Sequence, residues 1–88
     1  MIRKEVTVKW ADGLEARPIA LLVQKASHYD SQIYIEFENK KISAKSIMGM
    51  MSLRITEGEE LTVVAEGVDE DVAVSGIEAF LLNEDAQK

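Results

Sequence analysis

The chain has 88 residues, 47% of them hydrophobic, which is enough for one compact unit with a modest core and leaves no room for a second. It has no cysteine, so a disulfide framework and a thiolate metal site are excluded, and its net charge of −6 opposes direct binding to nucleic acid or anionic lipid. Met1-Ile2-Arg3-Lys4-Glu5-Val6 lacks the apolar run of a signal peptide, and no stretch approaches the roughly 20 residues that span a bilayer, so a cytoplasmic location without membrane contact is expected.

In chain order, Ile2, Val6, Val8 and Trp10 fall on one face against Arg3, Glu5, Thr7 and Lys9, which predicts a half-buried first strand ended by Asp12-Gly13. From Ala16 to about His28 the apolar residues Ile19, Leu22, Val23 and Ala26 recur at helical spacing, with Pro18 in the tolerant first turn. Ile33, Ile35 and Phe37 alternate with Gln32, Tyr34 and Glu36. Glu38-Asn39 then reads as a hairpin turn into a short strand over residues 40–43.

Ser46 is an N-cap candidate for a short helix from Ile47 to about Leu53, whose stability must come from packing. After the turn at Glu57-Gly58, Leu61, Val63 and Ala65 line one face of a fourth strand that stops at Gly67. Asp69, Glu70 and Asp71 suit the positive end of a last helix with a buried stripe of Ala73, Ile77, Phe80 and Leu81, in which Gly76 costs about 1 kcal/mol against alanine. The acidic end from Asn83 to Lys88 is expected to fray. The order β-α-β-β-α-β-α predicts an α+β fold, with helices on one sheet face and solvent on the other.

Gly13-Leu14-Glu15-Ala16-Arg17-Pro18 resembles the Gly-Leu-His-Ala-Arg-Pro site of HPr, the histidine-containing phosphocarrier of the bacterial sugar phosphotransferase system. Ala44-Lys45-Ser46-Ile47-Met48-Gly49-Met50-Met51-Ser52-Leu53 resembles the family's regulatory serine block. The resemblance covers nearly the whole chain as one HPr-like domain, 1–88. It implies an open-faced β-sandwich in which three helices cover one face of a four-stranded antiparallel sheet.

The resemblance puts Glu15 where the family carries its phosphate-accepting histidine. Main-chain N–H groups at the helix start and the Arg17 guanidinium still suit an anion. A Glu15 carboxylate, however, would have to form an acyl phosphate, which usually needs metal support, and no acidic cluster for a metal is visible near it. Phosphocarrier action through Glu15 is therefore the remotest reading, and neither catalysis nor a cofactor is expected. Glu15 can also act structurally, by complementing the helix dipole and pairing with Arg17. Alternatively, its permanent charge stands in for a phosphohistidine and blocks partners that need a neutral ring. His28 cannot replace the acceptor, because 13 helical residues put it about 20 Å away; its place near a helix C-terminus suits a cation-capable side chain.

Ser46 is both an N-cap and, by the resemblance, a regulatory acceptor phosphorylated by HPr kinase/phosphorylase. Ile47, Met48 and Met51 are expected to stay partly exposed if Met50 and Leu53 face the sheet, and methionine-rich surface suits adaptable binding. Together with Arg17, Ala20, Leu21 and Gln24 on the outward side of the first helix, they form the partner-binding surface that the resemblance implies. A missing acceptor and an intact serine block resemble the catabolite-repression subgroup. For it the resemblance implies a corepressor that binds catabolite control protein A, a repressor of the lactose-repressor type, once Ser46 is phosphorylated. The chain departs from relatives at Glu15, where glutamine is usual, and at Ile19, where alanine is common. A regulator that binds a metabolic enzyme in its unphosphorylated form is the alternative. The subgroup can also exchange its first strand between two copies to form a homodimer.

Overall fold

The computed structural model describes residues 1–11 and 13–83. The elements follow the expected order: β1 (Ile2–Thr7), α1 (Ala16–Ala26), β2 (Gln32–Phe37), β3 (Lys40–Ser43), α2 (Ile47–Met51), β4 (Glu60–Glu66) and α3 (Glu70–Leu81). The strands form one antiparallel sheet of order β1-β4-β2-β3, with the three helices on one side of it. The acidic run 84–88, expected to fray, lies outside the described residues.

Alternation along the strands decides which face is covered. Val6, Ile33, Ile35, Leu61, Val63 and Ala65 point to the helices and are buried with Ile19, Leu22, Ile77 and Leu81. Each such side chain removed from water contributes about 1.5–3 kcal/mol. Ile19, the departure from the alanine common at this position, is 2% exposed, so its extra methylenes fill core space. The β2–β3 hairpin turns at Glu38 and Asn39, whose φ values of 51° and 68° supply the positive backbone angles that a tight two-residue type I′ turn needs.

The opposite face is less open than periodicity predicts. Val64 points away from the helices yet is only 1% exposed, because Arg3 and Tyr34 flank it in register on the neighbouring strands. The Arg3 guanidinium then reaches past β4 to grip Glu36 on β2 with both prongs, and Lys41 lies 4.7 Å over the Tyr34 ring. A layer of polar side chains thus shields one apolar residue on the open face.

Three boundaries fall short of the expected ones. β1 ends at Thr7 instead of running to Trp10, because the chain turns towards α3: Lys9 N–H donates to the Leu81 carbonyl and Trp10 Nε1–H to the Phe80 carbonyl. α1 stops at Ala26, where His28 and Tyr29 N–H groups tighten onto carbonyls three residues back, leaving His28 beyond the helix and exposed. α2 stops at Met51 for the same reason, through Ser52 and Leu53.

At the start of α3 the acids do more than complement a dipole. Asp69 makes no cap to its own helix; its carboxylate accepts from the Asp30 N–H, the Ser31 N–H and the Ser31 hydroxyl, tying the head of β2 to α3. The Ser31 hydroxyl and the Asp30 N–H hold this carboxyl below the ordinary aspartate range. Glu70 accepts from the Gly67 N–H at 3.0 Å and closes the turn out of β4.

Candidate functional site

Glu15 is the N-cap residue of α1, in extended backbone conformation, and its carbonyl accepts the Ile19 N–H at 2.9 Å. Its side chain makes no capping hydrogen bond. Pro18 has no N–H to offer, so the first-turn donors left open are those of Ala16 and Arg17, and neither finds an acceptor among the described residues. The expected Glu15–Arg17 ion pair is not formed among the described residues, where the pairs are made by Met1, Arg3 and Lys4 instead. Both side chains are exposed, and residues two apart at a helix start do not face each other.

Glu15 stands between two shallow depressions. One, of about 600 Å³, is lined by Arg17, Pro18, Leu21 and Trp10 as well as Glu15. The other, of about 540 Å³, is lined by Glu15, Ile19, Met51 and Arg54. The structure therefore brings Glu15, Arg17 and Leu21 together, and joins Glu15 to the α2 methionines through Met51. Arg54 and Trp10 escaped the sequence reading as site residues. Arg54 lies outside any periodic element, and Trp10 reads as a strand residue until the chain is seen to turn. No cluster of three or more His, Asp or Glu side chains suited to a metal occurs among the described residues.

Ser46 caps α2 as expected: its backbone is extended and its Oγ accepts the Gly49 N–H at 3.2 Å. The side chain is exposed. Lys45 beside it is tied elsewhere, with Nζ donating to the Tyr29 carbonyl at 2.8 Å. A hydroxyl bound only to one backbone donor can be reached by a phosphate donor, and the Gly49 N–H already points at it.

Beyond Ser46, Ile47, Met48 and Met51 are 43%, 82% and 50% exposed while Met50 is fully buried, so one helical turn splits its apolar residues between core and surface. α1 packs against α2, and Arg17, Ala20, Leu21 and Gln24 are all exposed, with Leu21 at 43%. Exposed apolar side chains are thus present on both of these packed helices.

Residues 2–83 match the family profile described as the PTS HPr component phosphorylation site. The chain is 49% identical over 84 residues to the HPr-like protein Crh of Halalkalibacterium halodurans, covering 96% of this chain and 100% of that one. Its fold superposes on HPr from Thermoanaerobacter tengcongensis with a TM-score of 0.92 at 41% identity, over 100% of this chain and 99% of the other. It also superposes on Crh of Bacillus subtilis with a TM-score of 0.75 at 43% identity, over 96% and 95% of the two chains; that crystal structure is described as a swapped dimer. The sheet order, the helix layer and these matches agree, and the chain belongs to the HPr family as a Crh-like member.

Proposed function

We propose that this chain is a regulatory HPr-like protein whose switch is phosphorylation of Ser46 by HPr kinase/phosphorylase. The phosphorylated form then acts as a corepressor that binds catabolite control protein A. Glu15 leaves it without the imidazole that a sugar phosphocarrier uses. The observation that carries the reading is the setting of Ser46, an exposed hydroxyl held by a single backbone N–H beside the exposed Ile47, Met48 and Met51. Phosphorylation there adds about −1.5 to −2 charges next to an apolar patch, and so changes which partner surface fits without refolding the domain. Likeness to Crh proteins supports the same reading.

The reading extends to assembly. A second copy exchanges β1 with this chain; the Bacillus subtilis relative, described as a dimer with a swapping domain, supports an exchange of this kind.

The deciding experiment is labelling with ATP and HPr kinase/phosphorylase, followed by repressor binding before and after. Label is expected on Ser46 alone, with repressor binding only in the labelled state. Equal binding in both states, or none in either, would favour a regulator of a metabolic enzyme. Stable labelling of Glu15 by phosphoenolpyruvate and enzyme I would instead make the chain a phosphocarrier.

A further inference from the structure

β1 is an edge strand that pairs only with β4. Adjacent residues of a strand point to opposite faces, so Arg3 and Lys4 leave it on opposite sides. Arg3 crosses the open face to Glu36 of β2, with Nη2–Oε1 at 2.6 Å and Nη1–Oε2 at 3.1 Å. Lys4 turns to the helix face, where its Nζ lies 3.2 Å from Glu78 Oε2 on α3. The strand is therefore gripped from both sides by carboxylates on elements other than its ladder partner. The Arg3 bond also holds the Glu36 carboxyl below the ordinary glutamate range.

We propose that Glu36 and Glu78 form a two-sided charge latch on β1, and that the same two carboxylates receive the Arg3-Lys4 pair of a second copy when the strand exchanges. This rests on the strand-exchange part of the reading above and is independent of Ser46. The occupant follows from the chemistry. Two carboxylates on opposite faces of one strand slot fit a strand carrying adjacent basic residues, with an apolar residue such as Val6 further along to enter the core, and β1 of this chain is such a strand.

The latch has a kinetic consequence that distinguishes it from ordinary stabilisation. An exchanged dimer rebuilds every β1 contact between copies, so both ion pairs exist in the closed monomer and in the dimer and cancel from their equilibrium. They are absent from the opened chain through which either form must pass. The latch therefore sets the rate of exchange and leaves the dimer fraction alone.

The test starts from monomer isolated by size exclusion and follows the appearance of dimer at about 0.05 M and about 0.5 M NaCl, conditions that respectively spare and screen exposed pairs. An exposed ion pair is worth about 1.4- to 5-fold, so the double variant Glu36→Gln/Glu78→Gln should exchange about 2- to 25-fold faster at low salt. It should reach the same final dimer fraction and keep only the weaker salt dependence that the Met1–Glu70 pair supplies. The reversed pair Arg3→Glu/Glu36→Arg should restore slow exchange, and it tests the same bond if the double variant does not fold. Dimer that forms at one rate whatever the salt or variant, or a final fraction that moves while the rate does not, overturns the latch. Absence of dimer under every condition overturns the strand-exchange reading itself.

Discussion

Ser46 Oγ and the backbone of Gly49 are so close that a β-carbon on Gly49 would lie 3.1 Å from that oxygen and 2.7 Å from Ile42 Cγ2. Glycine at position 49 is therefore what lets the N-cap bond form against β3. Gly49→Ala is expected to destabilise the domain by about 1–3 kcal/mol through overpacking, despite alanine's better helix propensity, and to slow phosphate transfer to Ser46. Urea unfolding and initial labelling rates check both. An unchanged labelling rate would show that the hydroxyl does not depend on this packing.

Gly76 has a comparable explanation on α3. The Tyr29 hydroxyl occupies its open side, 2.0 Å from where a β-carbon would be, so the weak point foreseen in the helix admits a tyrosine from the loop after α1. Gly76→Ala should lose about 1–3 kcal/mol instead of gaining the propensity difference of about 1 kcal/mol. Adding Tyr29→Ala should make the glycine replacement much less harmful, a non-additivity that a double-mutant cycle in urea would measure. Simple additivity would refute the steric account.

Acid stability should report on Asp69. Its folded carboxyl lies below the ordinary value because the Ser31 hydroxyl and the Asp30 N–H bind the charged form. A depressed carboxyl contributes stability that is present above the ordinary aspartate value of about 3.9 and is lost as pH falls through the folded value. Glu36, Glu59 and Glu70 are lowered in the same direction, chiefly by the Arg3 side chain, the Thr56 N–H and the Gly67 N–H respectively. The melting temperature should therefore fall on acidification below about pH 4. Asp69→Asn should melt lower at neutral pH and show a shallower fall. A parallel fall in parent and variant would remove Asp69 from the account.

Glu15 and Arg17 line one depression without pairing, so the carboxylate should repel whatever anionic group a partner brings to the guanidinium. Glu15→Gln is expected to tighten repressor binding of the Ser46-phosphorylated chain by about 2- to 5-fold at low salt, with the gain fading as salt is raised. Titration calorimetry at two ionic strengths checks it. Equal affinities for the two side chains would mean that the charge of Glu15 plays no part in binding.

Much of the fold was legible because burial acts through spacing. Alternation at Ile33, Ile35 and Phe37, and the helical recurrence of Ile19, Leu22 and Ala26, name the buried faces without any tertiary information. Ser46 was legible as a cap because capping is local. The end of β1 was not, since the turn after Thr7 depends on carbonyls of α3 that lie 70 or more residues along the chain. The site was half legible: Glu15, Arg17 and the methionines stood out, while Arg54 carries no pattern of its own.

The sequence by itself determined the order of elements, the face most of them bury and the carboxylate at position 15, because each rests on residue identity or short-range periodicity. Only the tertiary structure decided where the charges go. Asp69 serves β2 instead of its own helix, Arg3 and Lys4 latch an edge strand from opposite faces, and Glu15 stands unpaired between two depressions. The physical reason is range: apolar burial is non-directional and can be read from spacing, whereas an ion pair or hydrogen bond exists only once the fold brings distant atoms within about 3 Å.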